Sequence, residues 1–598
     1  MSQNPLIPDR DSTFLLHEVH DAQALCALPY YADHDKQTFD MTIDAARRFA
    51  REQLFPAYKP MDEAPPELVK GELNVHPMMK TLYPRLVDLG LVAATRPYEF
   101  GGQQLPSMVS TLATAHLMAG NAAAVGYAFL TTGAAHLIES FGDDALRALF
   151  LDNMYSGRWT GTMALTEPHA GSSLGDITTT ATPLEAGRYS VRGSKIFISG
   201  GQHDLTENIV HLTLARIDGA PAGVKGVSLF AVPRQRPENG QLVDNDVHAT
   251  QAIHKIGWRG LPSLVMDYGD EGSCVGWLVG QEHCGLKQMF QMMNEARILV
   301  GANAVATASV AYRQSLIYAQ ERPQGRATTQ RDPAAPQVSI IEHTDVRRML
   351  LRQKAIVEGG LSLVVATARA QDLSEHGADE DSRSGARKLL DILTPITKTF
   401  PSEWGYESNA LALQIHGGYG YSSEYLPESF LRDQKLNSIH EGTTGIQGLD
   451  LLGRKVIRDG GKSLRTLLGA IEVACGAAPT SQAANARALG EAAHHLATTS
   501  QTVGARGMNG DVDGMLRHST DFLFAASAIV VAWQWLKMAT VAQAGLDAEP
   551  SEGDVSFYSG KLAAADHWFS FDLPMARTRL TLIESGEDSY ARVQADWF

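Results

Sequence analysis

The segment 414–456, QIHGGYGYSSEYLPESFLRDQKLNSIHEGTTGIQGLDLLGRKV, organises the reading of the whole chain. Gly417 and Gly418 allow a ligand to approach the backbone closely and permit positive φ. Thr443 and Thr444 stand just before an amphipathic run, where their hydroxyls can cap a helix whose free N–H groups suit an anion. Glu441 lies beside that helix start as a potential general base. A solvated surface glutamate favoured by the helix dipole accounts for the same residues. Both readings stay open on this stretch alone.

The chain has 598 residues, 44% hydrophobic and 20% charged, the composition of an ordinary soluble globular protein. That length exceeds one compact core and implies about three or four domains. With 51 Lys+Arg against 67 Asp+Glu the formal charge is −16, which argues against generic nucleic-acid binding. Any polyanionic ligand needs a local positive site. The four cysteines, Cys26, Cys274, Cys284 and Cys475, are widely spaced and show no zinc pattern. They fit reduced thiols in the cytoplasm. The N-terminus, MSQNPLIPDRDSTFLLHEV, lacks a basic stretch followed by a long apolar core, so no secretion signal is expected.

Along the chain, residues 1–37 look like an arm. Residues 38–160 carry helical periodicity in FDMTIDAARRFAREQLF, HPMMKTLYPRLVDLGLVA, the run 108–139 and DDALRALFLDNMYSG. From 161 to 280 the texture changes to short β-branched runs between Gly, Pro and Asp: RYSVRGSKIFISGG, NIVHLTLARI, GVSLFAVP and SLVMDYGD. A compact barrel or a sandwich accommodates these. Residues 281–458 return to long helices suited to an antiparallel four-helix bundle, interrupted by the charged connector SEHGADEDSRSG. An additional helical segment covers 465–598. The uncharged run 522–536 within it is short for a membrane span and reads better as a buried helix. The predicted class is α+β multidomain: helical, β, helical bundle, then an extra helical domain.

Three segments, TEPHAGSS (166–173), KIFISGG (195–201) and IHEGTTGIQ (439–447), occur in this order across the α–β–α pattern. Their combination resembles the acyl-CoA dehydrogenase family of flavoenzymes over roughly 38–458. The C-terminal addition resembles long bacterial members such as the methylmercaptopropionyl-CoA dehydrogenase group. The resemblance implies FAD as cofactor, an acyl-CoA substrate, an electron-transfer flavoprotein as electron acceptor, and a homodimer or larger assembly.

The resemblance also implies residue roles. Met163, Leu165 and Thr166 would face the flavin, and Ser172 would lie near flavin and acyl-CoA phosphates. Phe197, Ile198 and Ser199 would cover the other flavin side, although Phe197 and Ile198 equally suit inward strand positions. Asn294 and Arg297, in MMNEAR, would contact CoA, whereas a plain helix-surface charge also explains Arg297. Arg322 would meet FAD phosphate. Gln414, Gly417 and Gly418 would approach a neighbouring subunit's FAD. Thr443 would contact cofactor and Gly442 substrate. Glu441 would be the catalytic base, taking the substrate α proton while the β hydrogen leaves as hydride to flavin N5. Its backbone N–H, with a flavin ribityl hydroxyl, would serve the thioester oxygen.

Some members of the family carry the base one residue before the arginine matched by Arg297. Here that residue is Ala296, which holds no proton, and Glu295 lies about 100° away around a helix. His440 stands where an aromatic tyrosine is often found, and His169 and Ser173 also depart from the commonest residues. An acyl-CoA oxidase, and a DNA-associated member of the fold, are the alternatives. The retained Glu441 and the negative charge speak against the DNA-associated reading.

Overall fold

Helical periodicity carries most of the chain into helices and the β-branched runs into one sheet system, in a computed structural model that describes residues 4–598. Residues 37–296 form one compact unit; residues 4–36 with 297–598 form the other. In chain order, α1 (Asp9–Thr13) belongs to the second unit, and α2 (Lys36–Phe49) begins the first. The first unit continues with α3 (Phe55–Glu63), a hairpin of β1 (Glu67–Val69) and β2 (Glu72–Asn74), α4 (Met79–Asp88), α5 (Ser107–Phe141) and α6 (Asp144–Tyr155). The run expected as one helix over 108–139 is kinked within α5. Asn121 leaves helical geometry (φ −167°, ψ 93°), and its Oδ1 accepts the Ala124 N–H, so it acts as an internal N-cap.

The strands of this unit are β3 (Trp159–Ala164), β4 (Thr180–Pro183), β5 (Arg188–Ser199), β6 (Asn208–Ile217), β7 (Val227–Pro233), β8 (Gln235–Glu238), β9 (Gln241–Asp244), β10 (Val247–Ala252), β11 (Ser263–Tyr268) and β12 (Val275–Leu278). Pairing runs β10-β11-β5-β12-β7-β6-β3, and β4 pairs with both β5 and β6. The ring β5-β12-β7-β6-β4 is therefore closed, which decides for a barrel over a sandwich. The polar, four-residue β4 closes it, and its TATP sequence carries no strand period. Strand β3 joins β6 in parallel, and Gly161 on it packs so tightly on α5 that a Cβ there would lie 2.6 Å from the Ala134 methyl. The core under this sheet includes Ile138, Phe150, Met154, Trp159, Leu212 and Met289.

The second unit holds α7 (Gly285–Glu321) from Arg297 onward, α8 (Thr344–His376), α9 (Glu380–His416), α10 (Pro427–Leu436), α11 (Thr444–Leu449), α12 (Lys462–Ala477), α13 (Ala483–Met508), α14 (Val512–Leu516), α15 (Ser519–Asp547) and α16 (Glu552–Ser585). The charged connector is mostly helix. Only 377–379 separate α8 from α9, because Asp379 caps α9 through the Ser382 N–H, and Glu380 pairs with Arg383 and Arg387 one and two turns on.

The N-terminal segment is packed rather than extended. Asp11, 5% exposed, pairs with Lys561 of α16, which also donates to Glu358 of α8 at 2.9 Å, and Phe14 meets Phe557 edge-on at 5.3 Å. Burying Phe14, Leu15 and Leu16 is what draws this short segment onto α16. Helix α15 is apolar enough in length and composition to cross a membrane, yet 89% of its apolar window is buried inside the protein.

Candidate active site

The turn between α10 and α11 is strained at its chemically interesting residue. Glu441 has φ +54°, in the left-handed region, and Gly442 follows at +90°. That conformation costs a non-glycine residue about 1–2 kcal/mol. The turn is held by Gln447, whose Nε2 donates to the carbonyls of Glu441 (3.1 Å) and Gly442 (3.2 Å). A Cβ at Gly442 would come within 2.6 Å of that same nitrogen, so glycine serves both the φ and the space. Thr443 caps α11 through the Ile446 N–H, and the Thr444 hydroxyl donates to Glu403 on α9.

The Glu441 carboxyl is partly buried. Desolvation raises its proton affinity above the usual carboxylate range, against the pull of the Arg297 and Lys398 charges. A carboxylate so placed is a stronger base than a solvated one.

Arg297 is 3% exposed and donates from Nη1 to Asp450 at 2.7 Å. This inward, ion-paired placement does not suit the CoA contact expected of it. Its charge acts instead on Glu441. Asp450 opens a π-helical stretch, Asp450–Arg458, that continues α11. Asn294 is partly buried on α7. At the alternative base position stands Ala296, and the neighbouring Glu295 is tied to His136 at 2.9 Å. Burial by itself would raise Glu295 and lower His136. Their mutual attraction reverses both, so Glu295 is held below the usual carboxylate range and is a poor base.

In the first unit, the TEPHAGSS and KIFISGG segments are clamped together. Lys195, fully buried, donates to the Leu165 carbonyl at 3.1 Å and to Glu167 Oε1 at 2.8 Å. Glu167 also accepts the N–H and hydroxyl of both Thr178 and Thr179 at 2.6–3.0 Å. Burial opposes its charge, yet Lys195 and these donors bring Glu167 down to about 2. Lys195 is lowered to about 8 by burial, against the pull of Glu167. The Ile196 N–H donates to the Thr166 carbonyl at 2.9 Å, completing the clamp.

Ile196 and Phe197 lie opposite Val265 in a bulge of the β5–β11 pair, where Leu264 faces Ile198 and Met266 faces Lys195. Phe197 has φ +63° and is 59% exposed, whereas Ile198 is 2% exposed. The bulge thus separates two residues expected to act together. Phe197 is turned outward, and Ile198 is an inward strand residue whose side chain is unavailable to a ligand. Thr166, Met163, Leu165 and Ser199 are partly exposed, and Ser172 is exposed.

In the second unit, α9 ends in the turn Gly417–Tyr421. Gln414, Gly417 and Gly418 are exposed, and beyond the adjoining residues no heavy atom of the described residues lies within 4 Å of where a Cβ would stand on either glycine. The Arg322 guanidinium lies 5.5 Å from the Tyr419 ring centroid, and Tyr318 stacks on His416 at 4.4 Å. The turn is therefore an open backbone cradle with a cation at its edge. Sequence reasoning missed Tyr419, Glu167, Asp450 and Lys398. Tyr419, Glu167 and Asp450 lie inside segments quoted for other residues, while Lys398 carries no local signal.

Comparison with known proteins bears directly on this arrangement. Four domain descriptions match in order: acyl-CoA dehydrogenase N-terminal domain (36–158), middle domain (162–268) and C-terminal domain (283–456), then acetyl-CoA dehydrogenase C-terminal like (467–594). The chain is 38% identical to the 3-methylmercaptopropionyl-CoA dehydrogenase of Ruegeria pomeroyi, over 94% of each protein. It is 33% identical to the broad-specificity linear acyl-CoA dehydrogenase FadE5 of Mycobacterium tuberculosis, over 96% of this chain and 97% of that one. Its fold matches Caenorhabditis elegans ACDH-11 in complex with C11-CoA, with TM-score 0.73 and 18% identity, over 94% of this chain and 92% of the other. With all four domains in order and relatives matched nearly end to end, the chain belongs to the acyl-CoA dehydrogenase family.

Proposed function

We propose that the protein catalyses α,β-dehydrogenation of an acyl-CoA thioester to the trans-2-enoyl-CoA, with Glu441 as base. Membership in the family makes it an acyl-CoA dehydrogenase and implies a flavin cofactor. The observation that carries the reading of Glu441 is its placement: a carboxyl on a left-handed backbone, partly buried, with proton affinity raised by desolvation. The α C–H bond breaks with its proton passing to the Glu441 carboxylate, and its electron pair enters the new Cα–Cβ double bond. The β hydrogen leaves with its pair, and FAD, when bound, supplies the acceptor for that hydride. A negative charge grows on the thioester oxygen as the proton leaves, so backbone donors at the Glu441 turn are the groups to stabilise it.

The residues present fit a flavin dinucleotide. Phe197 presents an exposed ring on a strained bulge, beside a loop whose Thr166 carbonyl accepts the Ile196 N–H and whose Leu165 carbonyl and Glu167 accept from Lys195. Arg322 and the exposed Gly417–Gly418 backbone offer a cation and close approach suited to a pyrophosphate. On this reading Met163, Leu165, Thr166, Phe197 and Ser199 hold the ring end, and Arg322, Gln414, Gly417 and Gly418 hold the phosphate and adenine end in a homodimer. Ser172, Thr443 and Gly442 take the remaining polar contacts. An electron-transfer flavoprotein then reoxidises the enzyme.

Anaerobic titration of the purified yellow protein with a panel of acyl-CoAs tests the reaction. Glu441→Gln should keep bound FAD and lose substrate-dependent bleaching; bleaching near the wild-type rate would overturn the assignment.

A further inference from the structure

Lys398 is a second buried lysine, and its surroundings differ from those of Lys195. It sits on α9, fully buried, and its Nζ has no hydrogen-bond partner among the described residues. An ammonium taken out of water without a bonded acceptor is costly, and a methionine would fill the same space without that cost. The charged groups that act on it are Glu403, five residues further along α9, Glu441, Arg297 on α7 and Lys435 on α10. Two of these are already committed: Glu403 accepts the Thr444 hydroxyl, and Arg297 is paired with Asp450. Lys398 is thus an uncommitted cation inside the group of charges that surrounds Glu441.

We propose that Lys398 is a positioning residue for the base, an unbonded buried cation that holds Glu441 as a carboxylate before substrate deprotonation. This rests on Glu441 being the base. The coupling runs both ways: charge on Lys398 favours the Glu441 anion, and proton capture by Glu441 removes an anion that favours the ammonium. Burial, partly offset by Glu403 and Glu441, brings Lys398 to about 7, so its charge is sensitive to what Glu441 carries. Arg297, paired with Asp450, also favours the Glu441 anion, and Lys398 adds a second cation that no hydrogen bond ties down.

The test is the pH dependence of flavin reduction in anaerobic stopped flow, using FAD-loaded enzyme and butyryl-CoA as probe. Lys398→Met should move the acidic limb of the rate profile upward by about one pH unit, because loss of a nearby cation raises the carboxyl further. At the foot of the limb this is about a tenfold slower reduction, with the alkaline plateau little changed. Lys398→Arg should return the limb to the wild-type position or below it. Melting temperature gives a readout independent of turnover. A lysine lowered from its ordinary value disfavours the folded state while charged, and this penalty is relieved as pH rises from about 7 toward 10. Wild type should therefore gain on Lys398→Met across that window.

A fully flavinated Lys398→Met with an unmoved acidic limb sinks the proposal, as does a melting difference that stays constant with pH. Should the methionine variant fail to fold, Lys398→Arg decides: a limb displaced upward despite the retained cation sinks it too. Glu441→Gln run in parallel separates the two assignments, since bleaching by that variant removes the base itself rather than its positioning residue.

Discussion

Lys195 in one unit and Lys398 in the other, both fully buried, show how the same side chain can hold a structure or leave a charge available. Lys195 is spent on geometry. It bonds the Leu165 carbonyl and Glu167, and through them fixes the loop carrying Thr166 against the bulge carrying Phe197. Lys398 Nζ makes no hydrogen bond among the described residues, and its influence on Glu403 and Glu441 is by charge alone. Removing the first leaves a buried carboxylate without its cation. Replacing the second by an apolar chain of similar size should change chiefly the electrostatics around Glu441, the proposed base. Each unit also spends backbone strain at one site residue, Phe197 at φ +63° and Glu441 at φ +54°.

Substitutions separate the two kinds of site by the size of their effects. Glu441→Gln should lower the rate of acyl-CoA-dependent bleaching by about two to four orders of magnitude at unchanged FAD content, measured in single turnover. Lys195→Met should destabilise the barrel unit by roughly 3–5 kcal/mol, seen in denaturant melts, because Glu167 is left charged and buried. Lys398→Met should instead be neutral or stabilising at pH 7, since a buried unbonded ammonium is exchanged for an apolar chain. A loss for Lys398→Met as large as that for Lys195→Met would erase the contrast.

Acid should also act mainly through the first site. Glu167 is lowered in the folded state from 4.5 to about 2, so its stabilisation is complete above pH 4.5 and is lost as pH falls toward 2. Wild type should therefore lose its advantage over Glu167→Gln across that window, read as converging melting temperatures. The smallest effect belongs to the exposed cradle. Arg322→Ala removes a cation over the Tyr419 ring worth about 0.5–1 kcal/mol and should weaken FAD retention a few-fold, measured by dilution-induced release.

The sequence by itself determined the order of helical and β segments, because a 3.6-residue period and β-branched alternation are local properties of the chain. It also singled out Glu441, Phe197 and Thr166, since three short motifs in order carry the family's pattern, and the Gly417–Gly418 turn, since its glycines allow close backbone approach. Tertiary structure decided what depends on partners remote in sequence. Barrel closure rests on β4, a strand with no period of its own, meeting both β5 and β6. Ile198 and Phe197 are adjacent in the same motif, yet a bulge against Val265 sends one inward and the other out. Arg297, expected as a CoA contact from its motif, is claimed by Asp450, which lies 153 residues later. The charge of Lys398 matters because folding removes it from water beside Glu441, and desolvation is a property of the folded surroundings that no local pattern encodes.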